Sequence, residues 1–225
     1  MTAFFPADIS GRAFIKWVIF GKILKKFLLV YPLFCMISHF PGKNLSLLYF
    51  FYGGPTMLSK KLVTAFNEQI AFEIHSALIY KAMQAYFAAE DFPGMANWMG
   101  VQYQEELAHA EKMFNFVCDA GGRAEMLALE QPRNEFSSPL EAFETTLAHE
   151  QIVTERISKL MELAQKEKSH AAQICLQWFI TEQVEEEANA SLIIKKLKMV
   201  EGDGRGLLMI DQELAQRVFV PIATA

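Results

Sequence analysis

Cysteine is nearly missing from this 225-residue chain: Cys35, Cys118 and Cys175 are the only three. They are odd in number, widely spaced and never form a CxxC pair. That excludes a disulfide framework and a cysteine-based metal site, and it fits a reducing, cytoplasmic setting. Chain breakers are also scarce, with 12 Gly and 8 Pro and no low-complexity tract. Positive charge is not in excess. The net charge is -5, so nothing in the balance points to nucleic acid. A spanning helix needs about 20 consecutive apolar residues, and no such run free of charge occurs. From Met57 onward, the alternating pattern of a half-buried strand is absent as well.

What is there falls into two unlike parts. Arg12, Lys16, Lys22, Lys25, Lys26 and Lys43 face a single acid, Asp8, so residues 1–56 carry +5 and the remainder carries −10. Within this basic part, Phe27 to Phe40 (FLLVYPLFCMISHF) is apolar apart from His39. It is too short for a confident membrane span. It has the basic front of a signal peptide but an overlong one, and no clear small-x-small cleavage site follows. The third reading, and the one adopted as the expectation, is an N-terminal extension foreign to the natural protein, with Met57 as its true start. The expected division is therefore an extension, 1–56, and a domain, 57–225, with a membrane role only if the extension is a real anchor.

The second part is patterned as helices. Ser59 can cap a helix over about 60–89, which Asp91-Phe92-Pro93-Gly94 ends. A second helix follows to about 120, closed by Gly121-Gly122. A polar stretch, about 122–137, is too long for a tight turn. Ser138-Pro139-Leu140-Glu141 carries a capping box and a first-turn proline, opening a third helix to about 167. Ser169 can cap a fourth, about 170–199. Gly202 to Gly206 is a loop, and a short amphipathic helix over about 207–217 ends the chain. The expected fold is all-α: a four-helix bundle with one long crossover plus a short fifth C-terminal helix, preceded by the apolar extension.

The helices carry charges where a core is expected. In QYQEELAHAEKMF, Glu106 and His109 are three apart and share a face. Glu73 lies 18 residues before Asp91 and Glu106 lies 15 after it. At 1.5 Å per residue, both stand roughly 22–27 Å from that turn. Glu150 and Glu186 each lie 18 residues from Lys168, so the second hairpin offers its acids at a common level too. Each sits among apolar residues. Carboxylates and an imidazole gathered in a core would repel and lose hydration unless cations joined them. Oxygen ligands with one imidazole suit iron or manganese better than structural zinc, and two adjacent metals suit oxygen chemistry.

Bundles that hold a Glu from each of two helices and Glu-x-x-His from the other two are the ferritin-like di-iron proteins. NEQIAFEIHSALIY (67–80), QEELAH (104–109), HEQ (149–151) and LQWFITEQVEEE (176–187) resemble, in order, the helix signatures of bacterial non-haem ferritins, and the resemblance runs from Met57 to about Gln216. It implies that Glu73, Glu106 and His109 ligate one iron. It implies that Glu106 bridges to a second iron held by Glu150 and Glu186, with Gln183 nearby. Glu105, Glu182 and Glu185, with Glu186 shared, match the family's weaker third site. Tyr80 and Trp178 match aromatic residues beside the centre, which could donate electrons or be plain core residues. The family oxidises Fe(II) with O2 or peroxide and stores the ferric mineral inside a hollow shell of twenty-four identical subunits. The fourth helix carries Gln183-x-x-Glu186 where the symmetric pattern has Glu-x-x-His, which suits a site that passes iron on. Leu107 stands where bacterioferritins place a haem-ligating Met, so no haem is expected.

Other residues are given plain roles. His75, two after Glu73, is expected at the surface or a subunit contact, and His149 and His170 are left unassigned. Glu187 is read as solvated, Met83, Met95, Met99 and Met113 as core filler, and Cys118 and Cys175 as buried and inert. A second reading, a di-iron oxidoreductase of rubrerythrin type, lacks the CxxC pairs of a rubredoxin-like iron. A third, a bundle without chemistry, conflicts with the level acids.

Overall fold

The computed structural model describes residues 56–222. The expectations for residues 1–55, the apolar segment Phe27–Phe40 among them, fall outside the described residues. Among the described residues the secondary structure is helical: α1 (Lys60–Ala89), α2 (Pro93–Asp119), α3 (Pro139–Lys166), α4 (His170–Met199) and α5 (Gly204–Leu214). None of these helices is long and apolar enough to cross a membrane. α1 packs along α2 and α3 along α4, α1 also meets α3, and α5 lies mainly on α2. Residues 122–136, without helix, form the long crossover between the two hairpins.

The boundaries follow from local chemistry. Ser59 Oγ accepts from the Leu62 amide at 3.1 Å, and Ser138 Oγ accepts from the Glu141 amide at 3.1 Å, each relieving one orphan donor of a first turn. The capping box at Ser138 closes differently from expectation. Glu141 accepts from the backbone and hydroxyl of Ser137, at 2.5 and 2.6 Å, and pairs with Arg133 at 2.7 Å. Both hairpin turns close with the 6→1 bond of a Schellman motif, and the second adds its 5→2 bond from the Lys168 amide to the Gln165 carbonyl at 3.0 Å. At the first, the Phe92 amide donates to the Phe87 carbonyl at 3.0 Å; at the second, the Ser169 amide donates to that of Ala164 at 2.9 Å. The residue that closes each is left-handed without being glycine: Asp91 at φ 59° and Lys168 at φ 55°.

α5 departs most from expectation. It begins at Gly204 and ends at Leu214, three residues earlier at each end than the sequence pattern suggests. Asp203 caps it, its carboxylate accepting from the Arg205 amide at 3.0 Å. Three glycines read as loop, yet Gly206 lies against Val200, where a Cβ would meet the valine methyl at 2.6 Å. Packing therefore overrides weak helix propensity.

The apolar interior comes in two blocks. One holds Leu62, Phe66, Ile70, Met113, Val117, Val153, Ile157, Leu176 and Phe179. The other holds Tyr80, Met83, Phe87, Met95, Met99, Phe143, Ile193 and Leu197. Along α1 the change of block falls between Ile70 and Tyr80, along α3 between Phe143 and Val153, and along α4 between Phe179 and Ile193. Glu73, Glu150, Gln183 and Glu186 occupy those gaps. Glu106 and His109 occupy the corresponding gap of α2, between Met99 and Met113. A buried polar layer thus cuts across all four helices. The four methionines named as filler are fully buried. Cys118 is exposed and Cys175 half-buried, which corrects the expectation for Cys118: it faces solvent on the last turn of α2, while Val117 takes the core position.

Candidate metal centre

The polar layer is shielded from bulk solvent. Glu73, Glu106, His109, Glu150, Gln183 and Glu186 are each at most 4% exposed. One ligand atom from each of Glu73, Glu106 and His109 lies within 4.8 Å of the others, so the three could hold a metal ion; the same is true of His109, Glu182 and Glu186. Glu73 Oε2 and Glu106 Oε2 are buried with no hydrogen-bond partner. Orphaned carboxylate oxygens in a core are costly, and a cation between them would supply the missing contact.

Protonation answers to the same burial. Loss of hydration raises Glu73 from its ordinary value. It raises Glu106 further, with the charges of Glu150, Glu73 and Glu186 adding to the effect. Burial first, and then Glu150, push Glu186 up to about 8. Glu150 is raised to about 7 by burial, against the lowering effect of its bonds to Tyr80 and Gln183. His109 moves the other way, down to about 4, through burial and the nearby Lys112. Its Nδ1 lies 3.4 Å from Glu106 Oε2, but at neutral pH the imidazole is uncharged. The contact is therefore not an ion pair, and a neutral ring is the form that offers a lone pair to a metal.

The remaining site residues are held in distinct ways. The Tyr80 hydroxyl donates to Glu150 Oε1. Gln183 donates to Glu150 Oε2 at 3.1 Å, and Gln102 donates to Glu186 Oε2 at 2.9 Å. Among the described residues Glu150 belongs to neither group that could hold a metal, whereas Glu182, half-buried, joins one. Glu105 is held by Arg217 at 2.6 Å, and Glu185 is exposed. Trp178 packs edge-on to His109, with ring centres 5.4 Å apart. Leu107 is 38% exposed, pointing away from the layer.

Three supporting residues escaped the sequence reading. Gln69 donates to Glu73 Oε1 at 2.9 Å and in turn accepts from Arg156 at 2.9 Å; Gln102 steadies Glu186 as described. Gln69 and Gln102 each precede a site glutamate of their own helix by four residues, a spacing that could have flagged them. His149, left unassigned, is buried. Its Nε2 lies 2.7 Å from Ser76 Oγ, and its ring stacks on Phe72. His75 is half-buried with a sequestered Nε2. Glu187 is not fully solvated either, since it accepts from Thr154 at 2.6 Å.

Fold and layer together define an all-α bundle whose core contains a carboxylate–imidazole group that could hold a metal ion. The Ferritin-like domain family model matches residues 63–200. A bacterial non-heme ferritin of Staphylococcus aureus (strain MRSA252) is 40% identical over 163 residues, which is 72% of this chain and 98% of the relative. One from Staphylococcus saprophyticus is 41% identical over the same shares. Among solved structures, an open-pore ferritin from the hyperthermophilic archaeon Archaeoglobus fulgidus has a TM-score of 0.71 at 49% identity, covering 72% of this chain and 99% of that one. A form of that ferritin engineered to be closed has a TM-score of 0.72 at 48% identity. The chain belongs to the ferritin family.

Proposed function

We propose that this protein is an iron-storage ferritin with ferroxidase activity. The observation that supports it most is the buried layer itself: one neutral imidazole and four carboxylates at one level, two of their oxygens without a partner. Fe(II) is the substrate. Glu73, Glu106 and His109 hold one iron, and Glu106 bridges to a second held by Glu150 and Glu186, with Gln183 beside it. The pair of Fe(II) gives up two electrons, and with two protons these reduce O2 to peroxide or peroxide to water. Tyr80, hydrogen-bonded to Glu150, stands where it can lend an electron. Glu105, Glu182 and Glu185 form an outer site for a third iron. The ferric product moves on into a store inside a homo-oligomeric shell of twenty-four subunits, without haem, in the cytoplasm. Residues 57–225 are proposed as the unit that folds and assembles.

Aerobic addition of Fe(II) to metal-free protein tests this. Storage takes up many irons per subunit and leaves a ferric mineral; an oxidoreductase of rubrerythrin type stops at about two, and an inert bundle takes none. Uptake that stops at two or fewer overturns the proposal.

A further inference from the structure

Beyond α5 the chain returns to the outer acids. Arg217 Nη2 lies 2.6 Å from Glu105 Oε2, each side chain 20% exposed. The guanidinium also stacks on Trp98, 4.5 Å from the ring centre. Its approach is fixed by α2. Asn97 donates to the Arg217 carbonyl at 2.9 Å and to the Leu214 and Ala215 carbonyls at 3.3 Å each. At Gly94 an added Cβ would fall 1.7 Å from the Asp211 carbonyl oxygen, so only glycine admits α5 this closely. Gly94, Trp98 and Glu105 recur at 4 and 11 residues along α2, a single helical stripe. That stripe carries the close approach, the stacking ring and the acid in turn.

The charge around Arg217 is one-sided. Burial raises Glu105, Arg217 lowers it, and Glu182 and Glu185 raise it again; Glu182 and Glu186 feel the same cation. One donor, Arg217 Nη1, is buried with no partner, so the guanidinium is incompletely satisfied where it sits.

We propose that Arg217 is a built-in competitor for the outer cation site. In the metal-free subunit it holds Glu105, and a divalent cation entering among Glu105, Glu182 and Glu185 must displace it. The inference rests on the outer-site reading above. A guanidinium keeps its charge at every relevant pH, so release comes by competition between cations and not by loss of a proton. The Trp98 face and the Asn97 anchor keep the displaced group close by. It therefore returns when the cation leaves, and the outer site stays weak and reversible.

Cobalt(II) binding to metal-free assembled shells under nitrogen, followed by equilibrium dialysis, tests this. The outer cation is identified as the one lost in Glu185→Gln. Arg217→Gln should tighten that cation about tenfold, the effect of removing one nearby like charge, with smaller changes at the inner positions. Arg217→Lys, which keeps the charge without the planar stack, should fall between the two. Asn97→Ala, which only unpins the segment, should shift the outer affinity in the same direction by less, and it serves if Arg217→Gln shells fail to assemble. A purely structural arginine gives the opposite sign, since loosening the segment would disorder the site. Outer affinity unchanged or weaker in Arg217→Gln, or in Asn97→Ala where that variant stands in, overturns the inference alone. A parent shell in which Glu185→Gln removes no cation overturns the outer-site reading and the inference with it.

Discussion

The two hairpins bring acids to the same level of the bundle but leave them in different states. In α1 and α2, Glu73 Oε2 and Glu106 Oε2 have no partner, and neutral His109 faces them. In α3 and α4, the acids are already engaged: Glu150 by Tyr80 and Gln183, Glu186 by Gln102. A cation would give Glu73 Oε2 and Glu106 Oε2 contacts they lack, while Glu73 Oε1 keeps its bond from Gln69. In the second hairpin Glu150 must give up hydrogen bonds before it can coordinate, whereas Glu186 already lies in a group with His109 and Glu182 that could hold an ion. Net gains run to about 0.5–1.5 kcal/mol for a bond to a neutral acceptor and about 1.5–3 kcal/mol once the acceptor is charged, enough to rank two otherwise similar positions. On the proposed reading, the first iron enters on the α1/α2 side and the second is held less firmly.

Altering this unpartnered pair should have the largest effect. Glu106→Gln keeps the shape and deletes the proposed bridge. Initial Fe(II) oxidation should fall at least about 100-fold, while the melting temperature of the metal-free protein stays equal or rises, since a carboxyl whose charged form burial and neighbouring acids disfavour is replaced by a neutral amide. Oxidation at the parent rate in stopped-flow measurements would show that the layer is not the reaction site. Opening the closed side should have a smaller effect of opposite character. Tyr80→Phe frees Glu150 from one donor, so the second cobalt(II) should bind about tenfold more tightly under nitrogen while the first is unmoved. An equal shift in both would dissolve the distinction between the hairpins.

pH sharpens the same contrast. A carboxyl ordinarily titrates near 4.5, whereas Glu150 and Glu186 are raised to about 7 and about 8. Above about pH 4.5 the folded chain therefore holds protons that the unfolded chain has lost. Its metal-free stability should fall as pH rises from there through about 8. The fall should be clearest above 6.5, because His109 and His149, lowered from 6.5 to about 4, act in the opposite direction below it. Metal binding must expel those protons, so affinity should climb over the same range. Calorimetric melting in the metal-free state, repeated from pH 5 to 8.5, checks the first; a flat profile would mean that the carboxyls are not held protonated. The smallest effect concerns the turns. Lys168→Gly should raise stability by about 1 kcal/mol, because a left-handed lysine is strained in the folded state. Asp91→Gly should gain less, since aspartate tolerates that conformation better. Urea unfolding of both variants orders them.

Much of this was legible beforehand because the signals are local. Ser59, Pro93, Gly121 and Ser138 mark helix ends through backbone chemistry that operates within a few residues. Helical periodicity then places Glu73, Glu106, Glu150 and Glu186 on inward faces, at heights set by a constant rise per residue. α5 was misplaced because its stability comes from Val200 and α2 and not from its own glycines. Cys118 was misread because one step around a helix separates core from solvent.

The helices, their pairing into hairpins and the buried level of the acids follow from periodicity, caps and rise alone. Which oxygens are left without partners, the reach of Gln102 across to Glu186 and the return of Arg217 to Glu105 emerge only in the folded chain. Each of these is a contact between residues separated by many turns of chain. Whether two such groups meet depends on helix rotation and crossing to within an ångström or so. Hydrogen bonds demand that accuracy, and no local pattern of residues encodes it.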